Sequence, residues 1–273
     1  MRRTSKTLLK TLPALLAAAL FTLEGSGATA QPAPGALSSD GWQHSVTPFL
    51  FLPLATTGTS TIDGNATDLD LDLGDIFDLL QGAASIRYEG WKGRYGIIAE
   101  GYYTNLGLDQ ALPGPTVTRV EVDARQSFLA LQGAYRVNAG VNAAGRPFAT
   151  DLAFGVKWNR LKQEVTGTGG GGGTATIGGT EDWFEPVITA RYSVEVADDW
   201  IFGARAELSG FGVNGNDLAY LALVGFSWQK WENTALRFGY QFYGIDFSTE
   251  RAGGTFAYDV NQHGPYLGLT FNF

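Results

Sequence analysis

Between Tyr266 and Phe273 the chain alternates strictly. Large apolar side chains stand at Leu267, Leu269, Phe271 and Phe273, with Gly268, Thr270 and Asn272 between them. Successive strand residues point to opposite faces, so this segment presents one greasy face and one small or polar face. Such a strand needs a different environment on each side. The same period-2 pattern recurs near 42–54, 82–90, 94–106, 117–136, 147–163, 184–195, 199–210, 217–229, 235–248 and 258–273. These are about ten candidate strands, with eight or twelve as the alternatives. Most are longer than the roughly 9–11 tilted residues a strand needs to cross a bilayer.

The other end of the chain carries an export pattern. Arg2, Arg3, Lys6 and Lys10 precede an apolar run from Leu12 to Leu23, and Ala28-Thr29-Ala30 fits small-residue cleavage. Residues 1–30 therefore read as a cleaved signal peptide rather than a retained anchor. Residues 31–40, rich in Pro, Ala, Gly and Ser, read as a flexible lead-in, and residues 41–273 as the folded body. Cleavage removes four of the 19 basic residues and one of the 27 acidic ones, leaving 15 against 26, a formal charge of −11. That balance argues against a nucleic-acid partner. With no cysteine, disulfides and thiolate metal sites are excluded. No later segment reaches 18 consecutive apolar residues, which excludes a transmembrane helix.

The connections sort by length. Starting inside, the inner connections are Trp91 to Gly93, Val137 to Arg146, Ala197 to Asp199 and Lys230 to Asn233, mostly short. The outer ones include long stretches at 55–81 and 164–182, expected as loops, with a short helix near Asp75 to Leu80. On this topology Trp42, Trp91, Trp200, Trp228 and Trp231 fall at the inner boundary and Trp158 and Trp183 near the outer one. Indole rings favour the headgroup level, so the seven are read as aromatic girdles. Segment 117–136 switches parity: Val120, Val122 and Ala124 share one, Leu129, Leu131 and Tyr135 the other. A β-bulge near Arg125 to Ser127 would reconcile them.

Together the export signal, the aromatic terminal strand and the alternation resemble the small outer-membrane β-barrel proteins of Gram-negative bacteria. The opening run Thr47-Pro48-Phe49-Leu50-Phe51-Leu52-Pro53 and the Asp-rich segment after it look like an uncharacterised subgroup. The resemblance implies an all-β, transmembrane, antiparallel up-and-down barrel in the outer membrane. It implies outer-membrane lipids and lipopolysaccharide as surroundings. It also implies the barrel-assembly machinery as a partner reading Leu267, Leu269, Phe271 and Phe273.

Candidate chemistry follows from the faces. Arg87, Glu89, Glu100, Lys157, Glu185, Arg191, Arg205, Glu207 and Arg237 share the polar faces. An Arg or Lys facing lipid near the midplane would cost about 2–4 kcal/mol, so these charges belong to the lumen. Mixed signs favour a paired plug over a selective pore. Asp68, Asp70 and Asp72 place three carboxylates on one face and are weak Ca²⁺ ligand candidates, but the spacing fails the EF-hand pattern, and the favoured reading is a solvated strand face whose leucines pack downward. The Gly169 to Gly173 run lacks the residues that follow a phosphate-binding loop. His44 and His263 are the only histidines, and no cofactor is implied. Three functions remain in order: a structural or surface-interaction barrel that is not an enzyme, a narrow passive channel for small polar solutes, and a lipid-modifying enzyme.

Overall fold

In a computed structural model, which describes residues 41–114 and 116–273, one antiparallel sheet dominates. The expected signal peptide and lead-in lie outside the described residues. The strands are β1 (Gln43–Phe51), β2 (Ala55–Ile62), β3 (Asn65–Asp72), β4 (Leu80–Lys92), β5 (Tyr95–Ala111), β6 (Val117–Val141), β7 (Pro147–Gly169), β8 (Thr174–Ala197), β9 (Trp200–Val213), β10 (Asn216–Trp231), β11 (Thr234–Arg251) and β12 (Gly254–Asn272). One short helix, α1 (Leu73–Leu79), sits between β3 and β4.

Ten of the twelve strands, β1 and β4 to β12, form a closed ring in which each pairs with its chain neighbour. The ring closes where β1 meets β12, from Ser45 opposite Asn272 to Phe51 opposite Tyr266. The β2–β3 hairpin continues the wall upward on β12 alone, with Ala55 opposite His263 and Thr61 opposite Ala257. The count exceeds ten because two long strands are interrupted. Pro53 has no N–H to give to a ladder, so β1 ends and β2 begins around it. On the return, α1 separates β3 from β4. Asp72 caps that helix: its carboxylate accepts from the Asp75 N–H at 3.0 Å, and Asp75 reciprocates at 3.1 Å.

The segments expected as long outer loops are largely strand. Residues 55–81 form β2, β3, α1 and the start of β4, and 164–182 continue β7 and β8 around a turn at 170–173. Alternation in Val165, Thr166, Thr168, Thr176 and Ile177 sustains the ladder where the glycine run suggested a mobile loop. Outer connections are consequently as tight as inner ones. Asp63-Gly64 and Asn214-Gly215 all take positive φ, as two-residue hairpins require. The bulge expected at Arg125 to Ser127 is also absent: β6 pairs with β5 without a shift from Arg119 to Tyr135.

The outward face of the inner half is apolar. Phe154, Phe184, Leu129 and Leu131 are each more than half exposed, and Ile97, Leu152, Val224, Phe226 and Leu267 join them around the ring. A continuous exposed belt of this kind is unstable in water and stable against hydrocarbon. No described helix is long and apolar enough to cross a membrane. The chain crosses with strands.

Candidate functional site: a braced lumen in two halves

The inner half of the lumen is polar. Arg136 donates to Asp151 at 2.8 Å, and Asp151 accepts from Arg191 at 2.9 Å. Arg191 donates to Glu89 at 2.8 Å, and Glu89 accepts from Arg87 at 2.8 Å. Arg87 reaches Glu100 at 2.5 Å, and Arg205 reaches the same Glu100 oxygen at 2.8 Å. Arg205 then donates to Glu207 at 2.5 Å, which accepts from Lys157 at 2.6 Å. These nine side chains form one unbroken sequence of alternating sign. Two of its links span the bore: Arg191 to Glu89 joins β8 to β4, and Arg205 to Glu100 joins β9 to β5. Those strands stand four places apart in a ring of ten. Every member is largely buried, so each charge depends on its partners for solvation.

Of the charges assigned to the lumen from sequence, Arg87, Glu89, Glu100, Lys157, Arg191, Arg205 and Glu207 stand in this network. Glu185 is buried apart from it, accepting from Trp183 Nε1 at 2.7 Å and Asn216 Nδ2 at 2.5 Å. Arg237 lines a vestibule of about 240 Å³ at the inner mouth, together with Trp91, Gln229 and Asn272. Arg136 and Asp151 are not among the lumen residues expected from sequence, because 137–146 reads as a connection and the two stand near its edges. The signal was present: Arg136, Asp151 and Arg191 occupy directly opposed positions on β6, β7 and β8.

Five tryptophans, Trp42, Trp158, Trp200, Trp228 and Trp231, sit on the outer wall or its inner rim. Trp200 stacks on Trp228 with ring centres 5.8 Å apart, and Trp42 on His44 at 6.2 Å. The other two depart from the girdle expectation. Trp91 points into the lumen, where Arg136 and Arg191 lie over its ring at 4.7 and 5.4 Å and its N–H donates to Glu89 at 3.1 Å. Trp183 is buried inside the outer half, stacked on Phe247 at 3.9 Å. In both, strand parity turns the ring inward, which position along the strand alone cannot reveal.

The outer half of the lumen is apolar. Leu161, Trp183, Leu221, Tyr243, Ile245, Phe247, Phe256 and Val260 make one packed cluster. Beside it lies a chamber of about 260 Å³ walled by β3, α1, β5, β6 and β7. Leu69 and Leu71 face it, leaving Asp68, Asp70 and Asp72 exposed on the opposite face of β3. Those carboxylates do not converge: Asp72 is committed to the helix cap, and among the described residues no group of three ligands is placed to hold a metal ion. Outside the same half, charged pairs cover the wall. Arg119 forms an ion pair with Asp109 and reaches Glu121 at 3.0 Å; Lys162 contacts Asp123 at 2.8 Å and Glu164 at 2.9 Å. The Arg119 hydrogen bond holds the Asp109 carboxyl below its ordinary range.

In the terminal strand Leu267, Leu269, Phe271 and Phe273 face outward. Phe273 exchanges two backbone hydrogen bonds of 3.0 Å with His44, and the two rings stack. His263 lies on the outer wall, hydrogen-bonded to the Tyr240 hydroxyl at 2.6 Å.

No family model matches the chain, and no curated protein does. Among solved structures it is similar to the outer-membrane protease OmpT of Escherichia coli, at 12% identity and a TM-score of 0.47, over 86% of this chain and 98% of that one. It is also similar to Ail, the attachment invasion locus protein of Yersinia pestis, crystallised with the heparin analogue sucrose octasulfate. There the identity is 10% and the TM-score 0.38, over 85% and 99%. The P. putida toluene transporter TodX follows at 9% and 0.27, over 88% and 92%. With its closed ring, lipid-facing belt and polar inner lumen, the chain has the fold of a small outer-membrane β-barrel.

Proposed function

We propose that this barrel is a closed structural or surface-interaction element of the bacterial outer membrane, not a pore and not an enzyme. The observation that carries the reading is the nine-residue ion-pair sequence across the bore. A hydrated solute passing the inner half would have to part Arg205 from Glu100 or Arg191 from Glu89, leaving each of those buried charges one partner short. Breaking one such buried pair costs about 3–5 kcal/mol. The packed outer cluster supports closure of the second half. The charged outer wall of β6 and β7 supports contact with lipopolysaccharide, directly or through bridging cations. The pairing of Phe273 with His44 supports recognition of the terminal strand by the assembly machinery.

Full-length protein inserted into planar bilayers is expected to be electrically silent. Stepwise conductance from protein shown to be inserted would overturn the reading in favour of a passive channel. The inner vestibule is the one feature that favours that alternative. Deleting Phe273 removes both closing hydrogen bonds, and a fall in the folded, heat-modifiable form in membranes is expected. Wild-type levels would dismiss the assembly role.

A further inference from the structure

The chamber in the outer half is built for something the closed-barrel reading does not use. Its wall is aliphatic: Leu69 and Leu71 from β3, Ile76 from α1, Leu106 from β5, Val122 from β6 and Leu161 from β7. Ile76 is the buried residue of a seven-residue helix whose other side is solvated, so α1 serves as a panel of this wall. Among the described residues the ring has no ladder at this point, where α1 and Gln81 pack beside β5. The ladder of β3 runs to β2 alone, and residues 107–111 of β5 pair only with β6. Above Leu80 opposite Leu106 no described ladder joins β3 to β5, and Leu108 stands 40% exposed at the edge of the gap. The gap begins about one membrane-crossing strand length above the inner turn at Tyr95, which is the outer limit of the hydrocarbon layer.

A second, independent feature lies inside. Gln163 is only 4% exposed and faces the chamber. Its Oε1 accepts from Ser60 at 2.8 Å, but its Nε2 is buried with no hydrogen-bond partner. A buried donor left unpaired is costly, and it calls for an acceptor oxygen. An aliphatic wall, one orphaned donor and an unladdered gap that starts at the outer limit of the hydrocarbon layer fit an elongated amphiphile.

We propose that the outer chamber binds one aliphatic acyl chain, with its carboxylate or ester carbonyl oxygen accepting from Gln163 Nε2. A dry apolar cavity of about 150 Å³ holds a six-carbon ring, so this one holds a chain of roughly ten carbons. The chain enters through the gap between β3 and β5, either as a free fatty acid or as the tail of a neighbouring lipid.

The test uses the full chain in lipid nanodiscs titrated with decanoic acid carrying ¹³C at its carboxyl carbon. A saturable, shifted carboxyl resonance at one equivalent, absent from empty nanodiscs, is expected. Ile76→Trp fills the chamber and should abolish it while heat-modifiable migration is retained. If that variant fails to fold, Val122→Phe, on a wall strand, takes its place. Gln163→Leu should weaken binding about tenfold, and Phe184→Ala on the lipid-facing belt should leave it unchanged. Mass spectrometry of the purified protein distinguishes the sources. One lipid retained per wild-type chain and lost in Ile76→Trp assigns the bilayer as the source. No retained lipid together with saturable decanoate binding assigns a free fatty acid. Absence of both signals overturns the proposal, as does undiminished binding in a folded chamber-filling variant.

Discussion

The inner and outer halves of this barrel are built on the same strands with opposite amphipathicity. In the lower part of β11, Leu236, Phe238, Tyr240 and Phe242 face out while Arg237 and Gln241 face in. Higher up, Tyr243, Ile245 and Phe247 face in, and Asp246 and Ser248 face out. β6 does the same: Leu129 and Leu131 face lipid below, and Val120 and Val122 turn inward above, Val122 lining the chamber, with Arg119 and Glu121 in water. The strand does not slip or bulge at the crossover. Instead the surroundings change. Below, hydrocarbon lies outside and ion pairs inside; above, water lies outside and an apolar core inside. The upper half is therefore held as a soluble protein is, and the lower half as a membrane protein is.

That contrast can be broken most severely in the inner half. Glu89→Ala takes one of two carboxylate partners from each of Arg87 and Arg191, leaving them with Glu100 and Asp151 and a surplus of buried positive charge, and should destabilise the fold by about 3–5 kcal/mol. Urea unfolding in lipid vesicles measures the loss. An effect below about 1 kcal/mol, the scale of an exposed pair, would mean that water already solvates the network. Next in size is Leu267→Arg, on the lipid-facing side of β12, expected to cost about 2–4 kcal/mol by the same assay. Asp259→Asn, also outward on β12 but in the upper half, should stay within about 0.5 kcal/mol. Equal costs at 267 and 259 would erase the distinction between the halves.

The crossover also explains what was readable from sequence. Alternation in β5, β8, β9, β11 and β12 discloses the lipid-facing wall and, among the lumen charges, Glu100, Arg191, Arg205, Glu207 and Arg237, because one strand suffices to decide which face is greasy. The terminal strand, with Leu267 to Phe273 outward, was legible for that reason. The parity switch in segment 117–136 suggests a bulge from sequence, but it marks a change of environment inside the barrel and no backbone defect. Trp91 and Trp183 were placed by height along the strand, although side-chain parity decides between girdle and lumen. The bracing partners Arg136 and Asp151 needed the register between neighbouring strands, which a single-strand reading does not contain. Of the hairpin β2–β3, the Asp68 to Leu73 alternation reads as a solvated strand face with leucines turned down and a short helix after it, whereas the Thr-rich stretch of β2 reads as loop. Leu69 and Leu71 order it only once the apolar interior exists to receive them.

The break around Pro53 has a mechanical consequence. Below it, the wall is cross-tied through its own bore, so the cross-section is pinned at several angles. Above it, among the described residues, the β2–β3 flap has its only ladder to the ring with β12, next to which Leu52 and Leu54 donate to Pro265 and His263 at 3.0 and 2.8 Å; Ser60 to Gln163 and the Gly178 N–H to Asp63 tie it across the mouth, and the β3 edge has no ladder to the ring. A rigid base carrying a panel fastened on one side deforms at the free side. Breathing of this cylinder is thus confined to its rim, in the direction that parts β3 from β5, while the base keeps its shape.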